Sequence, residues 1–245
     1  MGIGGGVIIV PALYLLYEST NRFDSGFILI ISIATSLSCI IFTSSSAAYA
    51  QYRKNMIQWT IARKLLPSLL VGSLLSGILV SSLAPSILKI FIASFLGIVA
   101  LIMISSWQPK PERRLPGHVG SSLIGFGAGI ASGSAGIAGG NIIVPTLIFF
   151  NVQPHKAAAV SSFLGVPIAI CGAFSYFFLG SEINDPKLLG YVDKQAFLGI
   201  VFGAIIGAPL GVNIAHKASP VMLKKIFGIM LVLISLKMIT DLVQP

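Results

Sequence analysis

Charge is scarce in this sequence. Asp, Glu, Lys and Arg make up 9% of 245 residues, against about 25% in an average soluble domain. So few charges cannot cover the surface of a water-soluble fold. Cysteine is almost missing as well: Cys39 and Cys171 lie in apolar runs without metal-ligand spacing, and read as small buried residues. No stretch of about ten residues alternates apolar with polar, which excludes a membrane β-barrel. No nucleophile–base pair, metal cluster or phosphate loop stands in a soluble portion, so nothing calls for an enzyme or a cofactor. The net charge of +9 does not mark a nucleic-acid partner, because the basic residues are scattered through short loops with no aromatic interleaving.

What is present is hydrophobic length. Residues 26–50, 65–88, 90–109, 157–181 and 195–215 carry no charge at all, and a helix crosses the roughly 30 Å bilayer core with about 20 apolar residues. The fold class is an all-α polytopic membrane protein. Lys and Arg set its orientation. With 51–64 placed in the cytoplasm, Arg53, Lys54, Arg63, Lys64, Lys110, Arg113, Arg114, Lys156, Lys217, Lys224 and Lys225 fall inside. Arg22, Lys89, Lys187, Lys194 and Lys237 fall outside, and of the seven acids Glu112 alone is inside.

Residues 119–154 form a run of 36 uncharged residues between two cytoplasmic loops. A straight helix of that length would be ~54 Å long, nearly twice the hydrocarbon core. The segment is therefore expected to enter and return, bending at Gly133, Gly136, Gly139 and Gly140, with arms of about 16 residues each.

The phrase at this bend occurs twice. "GIGGGVIIVPAL" at 2–13 matches "GIAGGNIIVPTL" at 136–147, "ATSL" at 34–37 stands in the place of "VSSF" at 160–163, and 72–89 parallels 207–226. The loops that match across the two halves fall on opposite sides by the charge bias. The reading is two inverted-topology repeats, each a re-entrant or broken-helix hairpin plus three transmembrane helices. Residues 1–105 form the first, 106–118 a cytoplasmic linker and 119–245 the second. The second repeat has a leading arm, 119–133, before its glycines, whereas the first begins directly on them; the reading frame is expected to extend upstream of Met1.

Irregular backbone inside a membrane survives only where protein or a wet cavity surrounds it. The helix after each glycine cluster offers unpaired N–H groups and the positive end of its dipole, a natural anion site, and two inverted copies aim two such ends at a midplane site of the transporter type. Gly4, Gly5, Gly6, Gly139, Gly140 and Asn141 are the candidate lining. Thr35, Ser36, Ser161 and Ser162 stand one to two turns into the next span and bond either a ligand or a helix carbonyl. The alternative for the glycines is close helix packing. "TSSS" at 43–46 reads as packing, and His118, His155 and His216 as boundary histidines. No acid lies within a span, so no coupling-ion ligand is visible.

The doubled Gly-Gly-x-x-x-Val-Pro block with its "ATSL" and "VSSF" followers resembles the sulfite exporter TauE/SafE family of bacterial membrane proteins, over nearly the whole chain. That resemblance implies an inner-membrane transporter whose substrate is sulfite, a sulfonate or a related small anion, moved outward. Ala138 replaces the glycine that the first copy has as Gly4, so the two copies need not bind equally. The expected function is export of such an anion by a secondary carrier. The alternatives are ion-coupled uptake of an organosulfur anion and a non-transporting accessory subunit. The expected partners are the anion and the lipid bilayer; oligomeric state is not legible.

Overall fold

A computed structural model describes residues 6–105, 115–183, 185–217 and 220–243; for 206–217, 220, 221, 223, 224, 242 and 243 the backbone course alone is described. Among the described residues nine helices follow in order: α1 Gly6–Thr20, α2 Ile28–Arg53, α3 Trp59–Ser81, α4 Pro85–Ser105, α5 His118–Ala135, α6 Gly140–Phe149, α7 Pro154–Leu179, α8 Lys194–Lys217 and α9 Pro220–Val243. A small antiparallel hairpin, β1 Leu188–Leu189 and β2 Val192–Asp193, precedes α8. Four helices, α2, α3, α4 and α7, are long and apolar enough to cross a membrane. Large apolar side chains on the outside of the bundle, such as Leu101, Phe174 and Phe202, are more than half exposed, as a lipid-facing surface requires.

Local chemistry sets the helix ends. Pro154 opens α7 at its first position, where a missing N–H costs nothing. Asn21, with φ 46°, closes α1: the N–H of Arg22 turns back onto the Tyr17 carbonyl at 3.2 Å, the bonding pattern of a left-handed helix cap. The uncharged segment 119–154 divides at 136–139. Gly136 (φ 67°) ends α5, with the Ile137 N–H on the Ser132 carbonyl at 3.0 Å, and Gly139 (φ 77°) leads into α6. Both backbones stand in the left-handed region that glycine occupies without strain. The arms have 18 and 10 residues rather than the expected near-equal lengths, because the chain turns early after α6, with Asn151 at φ 61°.

Two apolar clusters make the core. One joins α1, α2, α4 and α9 with the β-hairpin and takes in Ala169, Ala173 and Tyr176 of α7; the other joins α3, α5, α6 and α7. α2 packs along α7, α4 along α9, and α3 against both α5 and α7. The α3–α5 crossing brings backbones together. A Cβ on Gly129 would stand 2.4 Å from the Leu69 carbonyl oxygen, and one on Gly72 2.3 Å from that of Phe126. Small residues permit this approach, which in lipid replaces the hydrophobic effect as the source of helix association. α2 is the most enclosed of the four spans, buried over 78% of its most apolar window.

Candidate functional site

The break between α5 and α6 is buried from Ser132 to Gly140. Its polar groups are unusually short of partners. Ser132 and Ser134 in the last turn of α5, and Ser161 on α7, are at most 2% exposed, and none of their hydroxyl oxygens has a hydrogen-bond partner. The Asn141 Nδ2 atom, in the first turn of α6, is likewise buried and unpaired. Ser132 Oγ lies 3.2 Å from where a Cβ on Gly139 would be. Ser161 stands one turn before Gly165, against which the Ala138 carbonyl packs. Gly139 supplies no side-chain cap to α6, and its carbonyl takes the N–H groups of Ile142 and Ile143. The N–H groups of residues 138–141 have no backbone acceptor among the described residues.

The first glycine cluster reaches the same place. Gly6 begins α1, and a Cβ there would meet the Gly136 oxygen at 2.4 Å and Ile137 Cα at 2.8 Å. The start of α1 is therefore in contact with the α5–α6 break. Gly4 and Gly5 lie outside the described residues. Pro11 and Pro145 are each the sixth residue of their helix, α1 and α6, so the same carbonyl in each first turn is left without its usual N–H donor.

The four hydroxyls divide. Ser36 Oγ donates to the Gly136 carbonyl at 2.8 Å, tying α2 to the break. Ser161 is buried there unpaired. Ser162 Oγ donates to Ala158 of its own helix at 2.9 Å, and Thr35 Oγ1 accepts the Asp193 N–H at 3.0 Å, away from the break. Gly6, Gly139, Gly140, Asn141, Ser36 and Ser161 are thus brought to the break; Thr35 and Ser162 have other partners. In the "TSSS" stretch Ser44 packs against Gly165 of α7. His118 and His155 sit at the starts of α5 and α7. Among the described residues, no three of His, Cys, Asp or Glu gather in a way that suits a metal ion.

Sequence reasoning passed over Ser132 and Ser134, although "ASGSAG" at 131–136 places both beside the bending glycines. It also passed over a buried acid. Asp193 is fully enclosed and paired with Arg22 at 3.2 Å. In sequence it stands in a polar loop, and its partner is 171 positions away. A second ionic group joins three helices: Glu18 of α1 with Lys237 at 3.0 Å, and Lys89 of α4 with Asp241 at 3.9 Å. The break itself carries no charged side chain, so what it offers an anion is hydroxyl, amide and backbone N–H donors at the positive end of α6.

The profile of the family described as sulfite exporter TauE/SafE matches residues 1–238. A probable membrane transporter protein of Haemophilus influenzae is 28% identical over 240 residues, 97% of this chain and 90% of that protein. One from Methanocaldococcus jannaschii is 28% identical over 238 residues, 94% of this chain and 86% of its own length. The Bacillus subtilis relative YdhB, also a probable membrane transporter protein, is 25% identical over 91% of this chain and 87% of itself. No solved structure matches the chain.

Proposed function

The chain belongs to the sulfite exporter TauE/SafE family, and from that premise we infer that it carries a small oxyanion, sulfite or an organosulfonate, outward across a bacterial inner membrane. It is a multi-pass membrane transporter and not an enzyme. The observation that carries the substrate class is the set of buried, unpaired donors at the α5–α6 break. A buried donor without a partner costs about 1–3 kcal/mol, and an oxyanion supplies the missing acceptor. In this reading Gly6, Gly139, Gly140 and Asn141 line the site with Ser36 and Ser161 beside it, Gly4 and Gly5 are assigned to it from the repeated sequence alone, and Thr35 and Ser162, adjacent in sequence to those two serines, support the helices.

Two inverted repeats, 1–105 and 119–245, joined by 106–118, account for the matched registers. α2 and α7 each have 26 residues, with Thr35 and Ser161 both at the eighth position. Counterpart helices pack on each other, α2 on α7 and α4 on α9, which supports a pseudo-twofold arrangement about the break. Two bodies, each built from helices of both repeats, rock around it to expose the site alternately. Membrane potential drives the direction: moving one negative charge out of a negative interior gains about 2.3 kcal/mol per 100 mV.

Purified protein in sulfite-loaded liposomes is expected to release sulfite faster than empty liposomes, and faster still when the lumen is made negative. Asn141→Leu removes a buried donor and should lower the rate by roughly tenfold, the equivalent of about 1.4 kcal/mol. Release no faster than from protein-free vesicles refutes the reading. Accumulation that follows a proton or sodium gradient at clamped potential points instead to ion-coupled uptake.

A further inference from the structure

The enclosed carboxylate of Asp193 faces hydrogen-bond donors at the ends of two helices. It immediately precedes α8, and its Oδ1 accepts the N–H groups of Gln195 at 2.9 Å and Ala196 at 3.3 Å, the first donors of that helix. Arg22 approaches from the other side, with Nη2 3.2 Å from both carboxylate oxygens and 2.8 Å from Gln195 Oε1. The left-handed turn at Asn21 folds Arg22 back over the end of α1, and the guanidinium lies 5.5 Å from the Phe23 ring. Tyr17 is fully buried, with Asp193, Thr35 and Arg22 as its polar neighbours. Three atoms in this cage are buried without a hydrogen bond: Tyr17 Oη, Arg22 Nε and Asp193 Oδ2. Two donors and one carboxylate oxygen of the cage are thus left without a hydrogen bond.

The cage is not isolated. Arg22 lines a pocket of about 700 Å³ on the face that the charge bias assigns to the outside, together with Asn21 and Ser25 and with two carboxylates, Asp24 and Asp185, which give a released anion no reason to stay. On its inner side the Asp193 N–H is held by Thr35. The next residue, Ser36, holds the Gly136 carbonyl of the break. Cage and break are thus joined through adjacent residues of α2.

We propose that this cage is a second oxyanion site, at the outer end of the transport path, in which the Asp193 carboxylate serves as a tethered occupant. A guanidinium, a tyrosine hydroxyl and two N–H groups at a helix N-terminus suit a carboxylate, sulfite or sulfonate group equally. The outgoing anion displaces the side chain of Asp193, takes over Arg22 and leaves through the outer pocket; the carboxylate then returns and closes the path. This rests on the reading of the chain as an anion transporter.

Chemical rescue tests it. Asp193→Ala empties the cage, removes the cap of α8 and leaves the half-buried Arg22 without its counter-charge, so the detergent-solubilised full chain melts at a lower temperature. Formate or sulfite is expected to restore several degrees of Tm to the variant and nothing to the wild type. The double variant Arg22→Gln with Asp193→Ala is expected to lose that rescue. Asp193→Asn guards against a variant that does not fold, because asparagine keeps the α8 cap while removing the charge. It should also gain anion-dependent stability. If neither variant responds to formate or sulfite, or if Asp193→Asn matches the wild type in both stability and sulfite efflux, Asp193 is a helix cap with an ion pair and the proposal falls. Rescue in a protein whose wild type moves no sulfite would leave the cage standing and overturn the transport reading. Efflux by the wild type without rescue of either variant would do the reverse.

Discussion

Alanine at Gly6 is expected to slow transport sharply without unfolding the protein. The added Cβ would stand 2.4 Å from the Gly136 oxygen, 2.6 Å from Ile40 Cδ1 and 2.8 Å from Ile137 Cα. Carbon contacts are favourable near about 3.5–4.0 Å, so the groups must part by roughly 1 Å. The isoleucine tip can turn away, but the other two atoms are backbone at the α5–α6 break and cannot. Overpacking of this kind costs about 1–3 kcal/mol. The strain falls on the place where the start of α1 meets the break and where Ser36 holds the Gly136 carbonyl at 2.8 Å. Sulfite efflux from proteoliposomes is expected to drop by roughly ten- to a hundredfold, while the variant still purifies as a monodisperse species. Gly127→Ala is the control. Its Cβ meets nothing within 4 Å, and a mid-helix alanine is favoured over glycine by about 0.5–1 kcal/mol. Full-rate efflux by Gly6→Ala would show that contact between the start of α1 and the α5–α6 break has no part in transport.

The second large effect is on stability. Gly129→Ala sets a methyl 2.4 Å from the Leu69 carbonyl oxygen and 3.0 Å from the Ser73 nitrogen, both on the backbone of α3. Neither atom can yield by a rotamer change, so α5 must back away from α3 along its length. The neighbouring close approaches of Gly125 to Leu65 and of Gly133 to Ser76, each too tight to admit a Cβ, loosen with it. A loss of about 3 kcal/mol, or roughly 6–12 °C in Tm for a chain of this size, is expected. Gly127→Ala, two positions earlier and pointing away, should not fall at all. Equal melting temperatures for the two variants would contradict the backbone-to-backbone crossing.

The spans and the break were legible because they rest on local properties. Apolar length fixed α2, α3, α4 and α7, and the glycines of "SAGIAGG" marked the turn, which the structure places at 136–139. The doubled Gly-Gly-x-x-x-Val-Pro block pointed to the meeting of Gly6 with Gly136, since both copies precede a helix in the same register. Hydroxyl roles were harder to read. Thr35 and Ser36 are neighbours in sequence, but successive helical residues point about 100° apart, and so one bonds Asp193 and the other Gly136. Asp193 was out of reach for a different reason. A carboxylate in a polar loop looks solvated until a partner from the far end of the chain is folded onto it, and no periodicity records that event.

The hydroxyl-to-carbonyl bonds between helices divide the bundle mechanically. Ser73 to Ile168 at 2.7 Å and Ser175 to Leu74 at 2.8 Å rivet α3 to α7, while glycine contacts weld α5 onto α3. Across the bundle, Ser235 to Ala93 at 2.8 Å rivets α9 to α4. Each fastening lies within one body, and α2 stands between the two like a post. A shape change that spares the rivets is therefore a tilt of one stiff body against the other. The thin seam at Ser36, Gly6 and Gly136 is where that tilt would be felt first.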